Sequence, residues 1–570
     1  MVTETDEGGH ITKHQYDLAG RQISVTQAYA TSNAPTTTFT YDAAGRKLTE
    51  TDPLDHTTTN AYDNAENQIA IAGPTGNFQY AYDNARNRIS VTDRNGNASS
   101  YQYDSRKHLT KSIYPDGTSK TYAYDGSGNL ISVTDQASNV VQYNYDVANE
   151  LQSVVQLNSP NTSVNTTSYS YDPLGDLAAL TDADGHTTQN AFDLLSEPVS
   201  RVLPRSQTET RQYDAAGNLI ALTHFNGKTT TYTHDDLNRL LTRTPDSSTG
   251  ESAVSFTYTP TGKRASMTDA SGTTTYGYDT MDRLRSKSTP EGMLSYTYDA
   301  GGTLASMTSS NANGVLTSYT YDSLNRLSTV VGNRLPGANI TTYSYDSANN
   351  VTTASYPNGV QMVFQYDPLN RLTALASRST GYLYQLGPTG NRTSATEYNG
   401  RTLNWSFDGI FRLTNETISD AHSGKNGSVS YGLDPVGNRL SANSSLSGVT
   451  SGNFNYNSDD ELSNETYDSN GNTLATGGKV FTYDSENRLV SMNGSTVAVV
   501  YDGDGNRVAT TVNGVTTRYL VDDLNQTGYV LRGKDVISRL SQLNWCLLQP
   551  SKSPRGMIRS RPQLAIGCRV

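Results

Sequence analysis

The stretch Ser318-Tyr319-Thr320-Tyr321-Asp322-Ser323-Leu324-Asn325-Arg326-Leu327 decides the fold, because close relatives of it recur along almost the whole 570-residue chain. Tyr319 and Tyr321 stand two apart, so in a strand they leave one face while Thr320 leaves the other. Asp322 opens a turn, its carboxylate able to accept backbone N–H bonds, and Asn325 falls where a type I turn passes into a left-handed residue. Leu327 resumes a strand. The residue four places after the second Tyr tests this hairpin: it is Gly at 20, 45, 128, 175, 217, 302, 471 and 505, and Asn at 149, 238, 325, 349, 370 and 487. Those two residue types tolerate positive φ most easily, so the slot reads as left-handed. Glu66, Arg86 and Lys107 occupy it in other copies, which makes the turn a tendency and not a rule.

The Tyr-Asp pair or a near variant recurs at intervals that are mostly 20 or 21 residues, stretched to 23 to 26 where Ser, Thr, Asn and Pro collect, as in Asn158 to Thr167. Eleven residues after the Tyr comes a second turn, opened by Asp52, Asp93, Asp135, Asp182 or Asp269, or written Tyr114-Pro115-Asp116-Gly117. Two turns about ten residues apart leave room for two strands of roughly five to seven residues, a β-meander with a period near 21. About 25 such units at roughly 4.8 Å per strand make a strip on the order of 240 Å long. A twisted sheet of that length does not stay flat, so it coils on itself. The Tyr pairs are expected to stack between neighbouring units. The expected fold is thus all-β, a repeat-built coiled β-meander over residues 1–529 with spacing that loosens from about residue 382. A non-repeat basic tail follows at 530–570.

Composition agrees with a thin sheet. Hydrophobic residues make up only 34% of the chain, yet it holds 38 Tyr, and its mean hydropathy is -0.60. That favours half-buried strands over a thick core. The formal charge of -12 argues against nucleic-acid binding, which rests on clustered Lys and Arg. Met1 to His10 has neither a basic start nor an apolar run, so no Sec-type leader is expected there, and no stretch is apolar enough to span a membrane. Cys546 and Cys568 both fall in the tail, where eight Lys or Arg face one acid, Asp535.

No catalytic, cofactor or metal residue emerges, and no cofactor or enzyme activity is expected. His10, His56 and His186 occupy one repeat position beside a turn, which explains them better than a metal centre, and no paired zinc-ligand motif exists. Asp502-Gly503-Asp504-Gly505-Asn506 and Asp468-Ser469-Asn470-Gly471-Asn472 look like calcium-loop fragments. The twelfth position would be Asn513 or Lys479, neither a bidentate acid, so both read as turns. There is no nucleophile elbow and no phosphate loop; Gly126-Ser127-Gly128 and Gly301-Gly302 are turn glycines. The Tyr faces with nearby Asp and Asn suit polyols, although packing is the better reading. Sequons such as Asn161-Thr162-Ser163 are expected by chance in so Asn- and Thr-rich a chain.

The units Tyr319 to Leu327, Phe364 to Leu372 and Phe481 to Leu489 closely resemble the YD repeat of the Rhs family, related to toxin-complex C components and teneurins. The resemblance covers roughly residues 5–529. It implies a spiral β-strip forming a hollow shell, in bacterial members a container for a C-terminal toxin released by self-cleavage and delivered to neighbouring cells, often by type VI secretion. Implied partners are toxin cargo and a secretion apparatus, with cell-surface glycans as the alternative. Intact relatives are secreted or at the cell surface. Members typically close with Pro-x-x-x-x-Asp-Pro-x-Gly; here Asp172-Pro173-Leu174-Gly175 and Asp434-Pro435-Val436-Gly437 fill ordinary mid-array turns. Arg518 to Tyr529 resembles the segment preceding that core, and there the resemblance stops. The chain is expected to end before core and toxin, with a tail that arises from a reading-frame change.

Overall fold

The computed structural model describes residues 1–531 apart from 30, 32–33, 159–161, 312–313, 334–338, 421–423, 495, 523 and 525–528. Of the expected tail only residues 530 and 531 are described, in the strand Tyr529–Leu531; the rest of it, with both cysteines, and Asn161 of the sequon lie outside the described residues.

The repeat unit folds as its residues require. In the unit quoted above, the strand Leu316–Tyr321 pairs antiparallel with Leu327–Gly332, Tyr319 opposite Val330 and Thr320 opposite Thr329. The register slips between Thr320 and Tyr321, as an extra residue must when a type I turn closes through a left-handed position. Asn325 donates its backbone N–H to the Asp322 carbonyl at 2.9 Å and has φ of 56°. The Asp322 carboxylate accepts the backbone N–H groups of Leu324 and Arg326 at 2.9 and 3.1 Å. On the opposite face the Thr320 and Thr329 hydroxyls bond each other at 2.7 Å. Thr233 with Thr242 and Thr297 with Ser306 repeat that contact at 2.7 and 2.6 Å.

The left-handed slot is stricter than the sequence suggests. Glu66, Arg86 and Lys107 take φ of 70°, 64° and 69°, beside 78° at Gly20 and 85° at Gly45. The backbone bonds around the turn impose the conformation, and the side chain tolerates it.

Pairings run antiparallel between successive strands into one 42-stranded sheet that ends at Gly452–Asn453. A seven-stranded sheet follows from Thr466–Tyr467 to Val515–Arg518, and then Leu520–Asp522 pairs with Tyr529–Leu531. The only helical turn among the described residues is Ser247–Thr249, capped by Asp246. The sheet is open, and most strand residues are half-buried on both faces. Its two long edges are lines of turns. One carries the turns that follow Tyr-Asp, called YD turns below; the other carries the turns between repeats, called return turns.

The strip winds, and one coil stacks on the next. Hydrogen bonds join return turns of the first coil to YD turns of the second at sequence separations from 234 to 277 residues. Two of the three buried apolar clusters among the described residues lie at this seam, and the third, Tyr384, Ala395 and Leu403, lies within the second coil. Val254, Phe256 and Met267 form one buried cluster, with Gly503 of the next coil seated on it. Leu294, Tyr296, Met307 and Val315 form another with Leu520. The sheet is too thin for a central core, so burial is divided among small clusters, two of them where coils meet.

Candidate functional site

Two arrangements carry the architecture: a ladder that locks repeat to repeat, and the seam that locks coil to coil. In the ladder, the second Tyr of many units donates its hydroxyl to a backbone carbonyl of the preceding repeat, as Tyr345 does to Leu327 at 2.7 Å and Tyr298 to Leu284 at 2.8 Å. Where an Arg follows the left-handed residue, as Arg21, Arg46, Arg239, Arg326 and Arg412 do, it bonds back to its own turn and forward to the next; in other units Asn, Glu, His or Thr stands there. Arg326 Nε reaches Asp322 at 2.8 Å, its Nη1 reaches the Asp346 carbonyl at 2.9 Å, and the guanidinium lies 4.5 Å from the Tyr345 ring centroid. Arg283 over Tyr298, Arg239 over Tyr258 and Arg488 over Tyr501 repeat the arrangement at 4.5, 4.7 and 4.9 Å. The expectation of Tyr stacked on Tyr between units is therefore corrected. In these repeats an Arg plane lies on the Tyr ring of the next unit instead, because the Arg can satisfy a carboxylate, a carbonyl and a ring face together.

Electrostatics follow from these bonds. The Arg46 backbone N–H, helped by the Arg46 guanidinium, holds the Asp42 carboxyl below its ordinary value of 3.8. The Asn87 side chain does the same for Asp83. Burial pushes Asp322 up, but the bonds from Arg326 and Leu324 outweigh it and the net direction is down. Burial pushes the Tyr384 hydroxyl to about 12 even though Arg392 opposes it.

The seam is built from return turns that each settle against YD turns one coil ahead. Asn95 donates to Asp346 at 2.9 Å while Asn370 donates to Asp93 at 3.3 Å. Arg371 meets Asp116 at 3.1 Å, Arg205 meets Glu461 at 2.9 Å, and Gln207 donates to Asp459 at 2.6 Å. The Glu251 carboxylate accepts the Ser485 backbone N–H and hydroxyl at 2.8 and 2.7 Å. Arg264 grips both oxygens of Asp504 at 2.6 and 2.7 Å, and Arg243 pairs with Glu486. Where the terminal strand arrives, Tyr296 donates to Asp522 at 2.8 Å and the buried Lys287 reaches the Val521 carbonyl at 3.4 Å. One contact is unfavourable. Burial, with Asp434, Asp182 and Asp460 nearby, pushes the Asp184 carboxyl up, only partly relieved by His186.

The residues singled out from sequence sit as follows. His10 and His56 each place Nδ1 near the Asp that opens their own turn, at 2.9 Å from Asp6 and 3.1 Å from Asp52, and His186 lies 3.9 Å from Asp182. Asp6 and His10 also come close to Asp282 of the second coil, all three ligand atoms lying within 4.8 Å of one another. Asp282 gave no sequence signal, because it is an ordinary turn residue brought in by winding. Asp502 and Asp468 spend their carboxylates on their own turns, on Asp504, Asn506, Asn470 and Asn472. Asp172 and Asp434 likewise accept turn N–H groups in mid-array, from Leu174 and Asn438. Among the described residues no helix is long and apolar enough to cross a membrane.

Comparison with known proteins agrees with this geometry. A family described as teneurin YD-shell matches residues 152–314, and the RHS repeat matches residues 82–119 and 124–164. No curated protein sequence matches the chain. Among solved structures, TcdB2-TccC3 without its hypervariable C-terminal region is similar at TM-score 0.73 and 13% identity, covering 92% of this chain and 38% of that one. TcdB2-TccC3 itself is similar at 0.68 and 14% identity, covering 93% and 37%. The Tc holotoxin pore of Photorhabdus luminescens, with a TccC3 mutation, is similar at 0.57 and 15%, covering 91% and 31%. The chain thus spans less than two fifths of the length of the first solved chains it matches.

Proposed function

Because the chain is built of RHS/YD repeats and shares the shell fold, we propose that it is a wall segment of a shell that encloses a toxin for delivery to competing cells. The winding carries this reading. A coil of about 250 residues, or roughly 24 strands at about 4.8 Å each, is a ring on the order of 115 Å around and ~37 Å across. Two packed sheets stand only about 10 Å apart, so side chains do not fill such a ring. Polar strand faces and a seam sealed by ion pairs and small apolar contacts suit a wall better than a catalytic pocket. Secretion, through type VI machinery or another route, belongs to the same proposal. Small-angle scattering of the purified chain tests it. A pair-distance distribution with the deficit at short distances of a hollow particle is expected, and a solid or extended profile would remove the shell reading.

A second reading rests on one feature. An open groove of about 580 Å³ is lined by Tyr143, Asn144, Tyr145, Asp146 and Asn149 among others, a set of aromatic edges and polar groups that fits a sugar at a cell surface. Reproducible sub-millimolar binding on a glycan array, lost in Asn144→Ala, would favour it over the wall; silence on the array leaves the wall.

A further inference from the structure

One joint of the seam breaks the pattern of its neighbours. Asp52 opens a return turn of the first coil, His56 Nδ1 lies 3.1 Å from its Oδ2, and Asn325 of the second coil donates its side-chain amide to the same oxygen at 3.2 Å. Asn325 is the left-handed residue of its YD turn, as is Asn370, which donates to Asp93 of another return turn at 3.3 Å. These joints span 273 and 277 residues. Asp6 to Asp282 is the same step, and it rebuilds the first joint with one change. His10 Nδ1 lies 2.9 Å from Asp6 Oδ2, and the left-handed residue that arrives beside them is Asp282, with φ of 56°. An amide has become a carboxylate. The other joints set an N–H donor against the return-turn acid; this one sets acid against acid, and like charges so close repel unless a positive charge stands between them.

We infer that Asp6, His10 and Asp282 form a binding site for one divalent cation, which clips the first coil to the second. Their ligand atoms already lie within 4.8 Å of one another. Donors that share an ion at about 2.0–2.2 Å stand roughly 3–3.6 Å apart, so small side-chain rotations complete the set. The surroundings hold the ligands in place. Asp6 Oδ1 accepts the backbone N–H groups of Gly8 and His10 at 2.9 and 2.8 Å, which turns Oδ2 toward the imidazole. Thr261 donates its hydroxyl to Asp282 at 3.0 Å. Gly8 is seated on the same threonine, since a Cβ there would come 2.8 Å from Thr261 Cγ2 and 3.0 Å from His10 Cε1. With its hydrogen on Nε2, His10 offers the Nδ1 lone pair to the ion. Two carboxylates and one imidazole suit manganese or zinc and not a soft ion such as Cu(I). Asp6 is exposed and the other two are half-buried, so water completes the coordination. The ion is structural, and does at this joint what the Asn325 amide does at Asp52.

Manganese binding by the full chain tests the site, Mn²⁺ being a poor partner for the thiols of Cys546 and Cys568. One equivalent is expected to bind, read as loss of the electron paramagnetic resonance signal of free Mn²⁺, with nitrogen coupling from one imidazole in the echo modulation. Asp282→Asn recreates the Asn325 joint, so it is expected to fold and to weaken binding at least about tenfold. His10→Ala is expected to remove the nitrogen coupling. His56→Ala, at the joint that already has its amide, is expected to change neither. Mn²⁺ is also expected to slow backbone hydrogen exchange at Gly8 to His10 and at Asp282 together, in the unsubstituted chain and not in Asp282→Asn. Absence of saturable binding at millimolar Mn²⁺, binding undiminished in Asp282→Asn, or nitrogen coupling that disappears with His56 and not with His10 would each overturn the site.

Discussion

Arg326 lies 4.5 Å from the Tyr345 ring centroid while its Nε holds Asp322 at 2.8 Å, so one side chain joins the turn of its own repeat to the aromatic of the next. Two charge-assisted bonds and a ring face depend on a planar, forked cation. Arg326→Lys keeps the charge and loses the fork. It is expected to cost about 1–2 kcal/mol, and Arg326→Ala about 2–3 kcal/mol, from the ranges for charged hydrogen bonds and cation–π contacts. In a repeat array the loss is local. Hydrogen exchange should quicken at Asp346 to Asn350, with little change twelve repeats away.

Glu66 occupies the left-handed slot at φ of 70°, a conformation that costs an ordinary residue roughly 1–2 kcal/mol. Glu66→Gly is expected to raise stability by about 0.5–1 kcal/mol, the relief being partly offset by the greater unfolded-state freedom of Gly. Urea unfolding of the two proteins checks the sign; a destabilised variant would refute the account of the turn.

Gly503 sits where any Cβ would come 2.6 Å from Val254 Cγ1 and 2.8 Å from Met267 Sδ. Gly503→Ala is expected to cost about 1–3 kcal/mol by overpacking. The damage should appear at the seam, as faster proteolysis after Arg264, which otherwise grips Asp504. Unchanged cleavage at Arg264 would show that the coils do not meet here.

The carboxylates set the pH response. Asp42, Asp83 and Asp322 are held below 3.8, so their contribution is fully present above that pH and lost as the pH falls through their lower folded values. Asp184 and Asp502 are pushed up by burial and act the other way, opposing folding once ionised. The melting temperature is therefore expected to be flat from pH 7 to 5 and to fall below about pH 4. Asp184→Asn is expected to melt a few degrees higher at pH 7, with the gain fading as acid protonates Asp184. A gain that grows on acidification would contradict the crowding of Asp184 with Asp182, Asp434 and Asp460.

The hairpin, its left-handed slot and the two-turn period were legible in sequence because the groups responsible lie within about ten residues. Asp322, Asn325 and Arg326 belong to a single turn. The partner of the Tyr ring was misjudged for a related reason. Tyr345 and Arg326 lie one repeat apart, and the recurring Arg reads equally well as a solvent-facing charge until the twist of the strip lays it on the ring. The histidines followed the same logic. His10 and His56 were legible as turn residues, whereas Asp282 beside His10 was not.

The sequence by itself determined the repeat, the turn conformation, the antiparallel pairing and the fact that so long a strip must coil. All of these follow from local sterics and from side chains that bond within one unit. Only the tertiary structure decided that Arg371 meets Asp116, that Gly503 rests on Met267, and that Leu324 is half-buried while Leu237, at the same place in its turn, is exposed. Winding is the sum of small strand-to-strand rotations over some two dozen strands, so which turn faces which after one coil is written in no single repeat. The same leucine position can be wall or edge, according to where the coil places it.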